Sequence, residues 1–316
     1  MSAASAGRIT VLSRVVLDEI VEESTTRVVL GGSGFWAAYG AATVSDGVAL
    51  ASRVGTDFAP FLPQFSELGI GTMGLLPSVD PTSRTLITYS GDQVRHEEFV
   101  GGWDAHLRMR AYLPELPRVM REASALYVFR DLPPGFWGPV LEHVAGGATL
   151  MWEIPGAVCA APLSDEARIV LRATSILSIN REEAADLVGD GDERATLERL
   201  LALGPRSVIL RLGSRGSIVS DGHRVVAASV ARAATVKDPT GAGNAYSGAF
   251  LAATMSGSDL AESARTATAV AATAIARVGA PSDRESARAE TRRLADSVTV
   301  TELAPITAIA GEAMNR

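Results

Sequence analysis

The chain reads as an α/β protein, a mostly parallel sheet covered by helices on both faces with a small β-sheet lid. Three observations predict this. From about residue 125 onward, short and nearly continuous apolar runs alternate with amphipathic segments, as they must when strands are buried on both faces. Two hairpin-like stretches, near 10–30 and 82–100, break that alternation and together suit a small sheet standing off the main body. No internal repeat or low-complexity linker divides the 316 residues, so a single domain over 8–303 is expected, with tails at 1–7 and 304–316.

The elements follow in order. After a tail of small residues, the β-branched runs ITVLSRVVLDEI and TTRVVL end at Gly31-Gly32. The next segment, SGFWAAYGAA, has the small residues that let a helix lie close on a sheet. GVALASRVG (47–55) is an apolar strand with a glycine stop, and FAPFLPQFSELG is the helix after it. Residues 82–100 alternate polar and apolar around Ser90-Gly91-Asp92, a hairpin with one exposed face. Then ALYVF (125–129) leads to GFWGPVLEHVAGG, and ATLMWEI (148–154) to a Pro-bounded loop and a helix near 164–173. SILSI (175–179) is followed by REEAADLVG, and SVILRL (207–212) by a glycine loop and a hairpin.

Composition narrows the function. With 29 basic and 36 acidic side chains the net charge is −7, against the clustered cationic surface that wrapping nucleic acid requires. Cys159 is the sole cysteine, so neither an intrachain disulfide nor a cysteine zinc cluster can form. The Ala-rich stretch 262–278 is interrupted by Arg265 and Arg277, short of the ~18 apolar residues of a membrane span. The opening MSAASAG lacks the apolar core of a signal peptide, so a cytoplasmic protein acting on a small molecule is expected, with neither nucleic acid nor membrane as partner.

The chemistry concentrates in Lys237-Asp238-Pro239-Thr240-Gly241-Ala242-Gly243-Asn244-Ala245-Tyr246-Ser247-Gly248. A Gly-Ala-Gly turn opening a helix leaves backbone N–H groups without intrahelical partners, and the helix dipole adds attraction for an anion. The same glycines also suit a tight strand-to-helix turn made for packing alone.

This stretch resembles the second signature of the ribokinase-like, or PfkB, family of sugar and nucleoside kinases, Asp-Thr-Thr-Gly-Ala-Gly-Asp followed by an aromatic and a glycine. Asp238, Thr240, Gly241, Ala242, Gly243, Tyr246 and Gly248 match it in order. Gly31-Gly32 resembles the glycine pair of the first signature, and Val54-Gly55-Thr56-Asp57 the Val-Gly-x-Asp turn. Asn180-Arg181-Glu182-Glu183 is similar to the Asn-x-x-Glu motif, and Leu212-Gly213-Ser214-Arg215-Gly216 to the nucleotide loop, so the resemblance spans roughly 8–285.

The resemblance implies a doubly wound α/β fold with a β lid, and an enzyme moving phosphate from ATP to a hydroxyl with Mg²⁺. On that basis Gly241, Ala242 and Gly243 form the anion hole for the transferred phosphoryl group, with Asn244 at the catalytic position. Asn180 and Glu183 hold magnesium through water. Gly213, Gly216, Asn180, Arg211 and Gly279 face the nucleotide, Arg211 as a fork of donors to its phosphates. Asp18, Gly31, Gly32, Trp36 and Arg84 face the substrate. Pairing of exposed lid strands between two chains implies a homodimer.

Two departures stand out. The family's aspartate after the second glycine, which takes the proton of the attacking hydroxyl, is here Asn244. A carboxamide accepts a hydrogen bond yet cannot hold that proton at neutral pH. General bases contribute roughly 10²–10⁴-fold, whereas phosphoryl transfer depends mainly on positioning and charge stabilisation. Three readings stand open: a kinase in which Asn244 orients the nucleophile, a pseudokinase that binds ligand without turnover, and a fold turned to other chemistry on a nucleoside-like or phosphorylated substrate. A divergent branch of the family also carries Gly-Ala-Gly-Asn, together with a stretch like Trp152-Glu153-Ile154-Pro155. The second departure is Phe35-Trp36, where many members carry a sugar-binding Asn; an aromatic suits a flat or apolar moiety, or packing beneath the lid.

Overall fold

The computed structural model of the chain describes residues 8–22, 25–89, 95–109, 120–232 and 236–306. The expected turn at Ser90-Gly91-Asp92 and tail residues 1–7 and 307–316 lie outside the described residues.

Strand β1 (Ile9–Leu12) enters the body, and β2 (Val16–Glu22) with β3 (Thr25–Gly31) forms a hairpin outside it. Helix α1 (Ser33–Val44) and strand β4 (Val48–Val54) return the chain to the body; α2 (Leu62–Glu67) and β5 (Ile70–Pro77) follow. A second hairpin, β6 (Arg84–Tyr89) and β7 (Arg95–Phe99), joins the first through a parallel β2–β6 pair, giving a four-stranded sheet in the order β3-β2-β6-β7. The lid is therefore built from 16–31 and 84–99. Residues 10–12 of β1, expected in the lid, pair instead with β4 and with β8 (Ala125–Phe129). The reason is burial: all four side chains of this Ile-Thr-Val-Leu run are covered, which only an interior strand of a two-faced sheet provides.

After α3 (Gly102–Arg108), strands and helices alternate as read: β8, α4 (Trp137–Ala145), β9 (Thr149–Glu153), α5 (Gly156–Cys159), α6 (Asp165–Ala173), β10 (Ile176–Asn180), α7 (Arg181–Val188), α8 (Glu193–Ala202) and β11 (Ser207–Arg211). A meander of β12 (Ser217–Ser220), β13 (Val225–Ala228) and, after α9 (Ala242–Met255), α10 (Leu260–Ile275) and α11 (Arg284–Ala295), the last strand β14 (Val300–Leu303) completes a ten-stranded sheet. Its order is β14-β13-β12-β11-β10-β9-β8-β1-β4-β5, parallel from β11 to β5 and antiparallel beyond.

Alternate residues of each strand feed two cores. Ala125 and Tyr127 of β8 pack with α1, α9 and α10, while Leu126 and Val128 meet Trp137, Trp152 and the helices α4 to α8. Strand order reverses at β1, between β4 and β8, and such switch points open a crevice at the carboxyl ends of the strands. The helix pair α1–α9 lies over this region and crosses unusually closely. A Cβ on Gly40 would fall 2.1 Å from the Ala245 carbonyl oxygen, and one on Gly248 2.0 Å from that of Ala37, so only glycine fits either position. This crossing sets where the first turn of α9 begins.

Candidate active site

Helix α9 begins at Gly241, whose φ of 77° is left-handed and whose position carries no side-chain cap. The preceding loop is held by Asp238, a buried carboxylate that accepts from the Thr240 backbone N–H at 2.9 Å and from its hydroxyl. The Ala245 N–H closes the first helical bond onto the Gly241 carbonyl at 2.8 Å, and Ala242 reaches only the Pro239 carbonyl, at 3.4 Å. The N–H groups of Gly243 and Asn244 precede the helix's own acceptors and are directed out of its end. Trp36 lies beneath this turn; a Cβ on Gly241 would sit 2.1 Å from its indole. Trp36 is only 3% exposed and packs edge-on against Phe35 and Tyr39. Trp36, expected on the substrate side, thus forms the floor of the turn.

Arg211, the last residue of β11, reaches across the opening. Its Nη1 occupies the space beside Gly243, where a Cβ would come within 1.9 Å. Its Nη2 forms an ion pair with Glu153 Oε1 at 3.0 Å and lies 3.8 Å from Glu183 Oε2. On one side of Arg211 a cleft of about 660 Å³ runs along Gly213, Gly216, Pro239 and Tyr246 to Thr268, Ala271, Ala272 and Ile275 of α10. Its walls are largely apolar, as a flat heterocycle would require. On the other side a smaller hollow of about 280 Å³ is bounded by Asn180, Glu182, Gly213 and Gly243. Thus Asn180, Arg211, Gly213, Gly216, Ala242 and Gly243 come together around one opening. Gly279 does not belong to it. Its α-carbon turns toward the lid, where a Cβ would touch Val29 at 3.5 Å, and the cleft wall comes from the Ala/Thr-rich helix α10 that precedes it.

Asn180 and Glu183 open α7 as a reciprocal cap. The Asn180 Oδ1 accepts from the Glu183 N–H at 2.8 Å, and Glu183 Oε2 accepts from the Asn180 N–H at 2.9 Å. Burial pushes the Glu183 carboxyl up; the Asn180 N–H and Arg211 pull it partly back. Among the described residues no group of three or more His, Cys, Asp or Glu side chains forms a cage for a metal ion. The cap uses one oxygen of each side chain and leaves the second carboxylate oxygen of Glu183. That donor set does not strip a magnesium ion, but it fits one that keeps most of its water.

On the substrate side, the buried Asp18 carboxylate lies against Gly31, where a Cβ would come within 1.8 Å of it. Gly32 caps α1 with φ 87°. Arg84 is committed elsewhere: it bonds Glu19 at 2.6 Å and Asp57 at 2.9 Å. Asp57 Oδ1 also accepts from the Thr82 N–H and hydroxyl at 2.8 and 2.7 Å. Burial alone would raise the Asp57 carboxyl, yet these bonds from Thr82 and Arg84 outweigh it and hold it below the usual range. Arg84 thus ties the root of the lid to the Val54–Asp57 turn.

Two residues to which the sequence assigned no role join the site: Tyr127, and Glu153 of the Trp152–Pro155 stretch. The amide Nδ2 of Asn244 donates to Glu153 Oε1 at 3.0 Å and to the Tyr127 hydroxyl oxygen at 3.2 Å. Tyr127 in turn donates to Glu153 Oε2 at 2.7 Å. The available signal was a charged residue closing an otherwise apolar strand, Thr149–Glu153.

The profile of the pfkB family carbohydrate kinases matches residues 3–287, and the chain belongs to that family. The chain is 29% identical to a ribokinase of Arabidopsis thaliana over 66% of its own length and 56% of the relative's. It is 35% identical to an uncharacterized sugar kinase of Archaeoglobus fulgidus over 35% of its length and 44% of the relative's, so it spans about half the length of these two. Against a 1-phosphofructokinase of Rhodobacter capsulatus it is 26% identical over 92% of both chains. The solved structure of Arabidopsis thaliana ribokinase complexed with ribose and ATP superposes with a TM-score of 0.73 at 22% identity, covering 90% of this chain and 99% of that one.

Proposed function

We propose that the protein is an ATP- and Mg²⁺-dependent phosphotransferase acting on a hydroxyl of a sugar- or nucleoside-like small molecule in the cytoplasm. The observation that carries this reading is the uncapped start of α9 beside the Arg211 guanidinium, at the head of an apolar cleft of about 660 Å³. The cleft accepts the base and ribose of the nucleotide. The N–H groups of Gly243 and Asn244 and the Arg211 fork then meet the transferred phosphoryl group, where aligned donors are worth most. The names of the relatives, a ribokinase and a 1-phosphofructokinase, support a sugar-like acceptor.

Asn180 and Glu183 would hold hydrated magnesium, which supplies neutralisation of phosphate charge. Asn244 Oδ1 accepts a hydrogen bond from the attacking hydroxyl. As the acceptor oxygen bonds to the γ-phosphorus, the bond to the β-bridging oxygen breaks and its electron pair leaves with ADP. The hydroxyl proton passes to an oxygen of the transferred group, so the product is a phosphate monoester. Closure of the lid, rooted by Arg84, keeps water from the donor. A homodimer formed by pairing of exposed lid edges belongs to the same proposal.

Incubation with ATP, Mg²⁺ and a panel of sugars and nucleosides, with ADP release and acceptor mass followed together, tests the reading. An acceptor gaining the mass of one phosphoryl group is expected. Nucleotide binding by calorimetry without any transfer would leave a ligand-binding pseudokinase, and absence of nucleotide binding would end both.

A further inference from the structure

Glu153 is 2% exposed and is the last residue of β9, yet the chemistry just described gives it no task. Its oxygens are fully engaged. Oε2 accepts from Tyr127, and Oε1 accepts from Asn244 Nδ2 and is ion-paired with Arg211 Nη2 at 3.0 Å. An ionised carboxylate can only accept hydrogen bonds. Tyr127 is wholly buried, and burial followed by the charge of Glu153 pushes its hydroxyl well above the usual range, so it remains a donor. Its single proton goes to Glu153, which leaves its oxygen as a second acceptor for Asn244. Both inner neighbours of the carboxamide are therefore acceptors. The amide satisfies them only with its nitrogen inward, and its carbonyl oxygen is turned away from the pair.

The same geometry explains why an asparagine stands at this position. An aspartate would bring an oxygen about 3 Å from Glu153 in a buried site, and two carboxylates that close do not both ionise. The surrounding charges are few: Arg211 lies on Glu153, and Glu183 lies beyond Arg211 at 3.8 Å.

We propose that Glu153 is a positioning residue that carries the centre's buried negative charge and locks Asn244 with Oδ1 facing the cleft. Asn244 and Glu153 then act as one unit, a carboxamide in front and a carboxylate behind. What Oδ1 meets rests on the phosphotransferase reading; the pairing itself does not.

The test compares wild type with Asn244→Asp, Glu153→Gln and the double variant, all close to isosteric. Thermal unfolding between about pH 5 and pH 8, without nucleotide or metal, reads the pairing. In Asn244→Asp one carboxyl retains a proton in the folded state more tightly than in the unfolded chain. Its stability relative to wild type therefore falls as pH rises. Adding Glu153→Gln removes that slope. Turnover reads the positioning role. Asn244→Asp alone is expected to drop about tenfold or more below wild type, and Glu153→Gln alone about tenfold, with the double variant at least tenfold above either. A flat pH profile for Asn244→Asp, or a slope that persists in the double variant, overturns the pairing. So does an Asn244→Asp protein that outpaces wild type. If none of the four turns over while the pH slopes come out as expected, the phosphotransferase reading falls and the pairing stands.

Discussion

Helices α7 and α9 both start at the carboxyl ends of the sheet, on either side of Arg211, and they finish their first turns in opposite ways. Helix α7 closes itself: Asn180 and Glu183 answer each other's backbone N–H groups. Helix α9 starts from a left-handed glycine with no cap and points its free N–H groups at the opening beside Gly243. A capping side chain in place of Gly241 would be worth only about a few tenths of a kcal/mol, and α9 forgoes it. A helix end whose donors are already satisfied serves as scaffold, and one left open beside a guanidinium is prepared for an anion. The comparison also explains why Arg211 is shared, since it leans on carboxylates of the closed side and overhangs the open one.

The comparison can be broken at several points. The largest effect is expected from Arg211→Met, which leaves Glu153 buried without its cation; urea unfolding should register a loss of about 3–5 kcal/mol. An unchanged midpoint would mean that Arg211 does not bridge the two helix ends. Next comes Gly243→Val, which fills the open end and pushes the flexible Arg211 head aside, leaving the Asn180–Glu183 cap itself in place. Nucleotide affinity or turnover should fall by about 10²–10³-fold, the scale of a lost oxyanion donor. Calorimetry that finds wild-type affinity would show that the α9 terminus is not where the anion sits. Gly248→Ala tests the helix crossing that positions this terminus. Its new methyl meets backbone, not a movable side chain, so a loss of about 1–3 kcal/mol or more is expected in thermal melts.

Two smaller effects sharpen the contrast. Asn180→Ala removes the cap of α7 and should cost about 1 kcal/mol in denaturant unfolding; the equivalent removal at Gly241 has nothing to delete. At the root of the lid, the lowered Asp57 carboxyl contributes stability that is present above the ordinary carboxylate range and lost as pH falls through its depressed value. Asp57→Asn should therefore flatten the acid limb of the pH–stability curve. The change should stay under about 1 kcal/mol, because the Arg84 pair is partly exposed.

Much of this architecture was legible before any coordinates. The apolar runs at 125–129, 175–179 and 207–212 became parallel strands because helices cover both faces of the sheet there. Residues 10–12 were misassigned to the lid because a strand of four residues is too short to reveal whether one face or both are covered. At the site, Asn180, Arg211, Gly213, Gly216 and the Gly241–Asn244 turn were read correctly as neighbours, since glycine spacing and strand-end polar residues are local signals. That Trp36 lies under this turn and that the Gly279 α-carbon faces Val29 was not legible, because burial of an indole and the direction of a loop depend on what packs against them.

The amino-acid sequence alone determined the class of fold, the turn with its unsatisfied amides, and the fact that a carboxamide stands where a carboxylate is usual. Those properties reside in hydrophobic period, backbone freedom and side-chain chemistry, each set within a few residues. Only the tertiary structure decided which charge answers that carboxamide. Tyr127, Glu153 and Asn244 lie on three separate elements, up to 117 residues apart, and meet because β8 and β9 are parallel neighbours and α9 is seated over them by its crossing with α1. A hydrogen bond is a matter of a few tenths of an ångström between atoms, and only the folded chain fixes that distance.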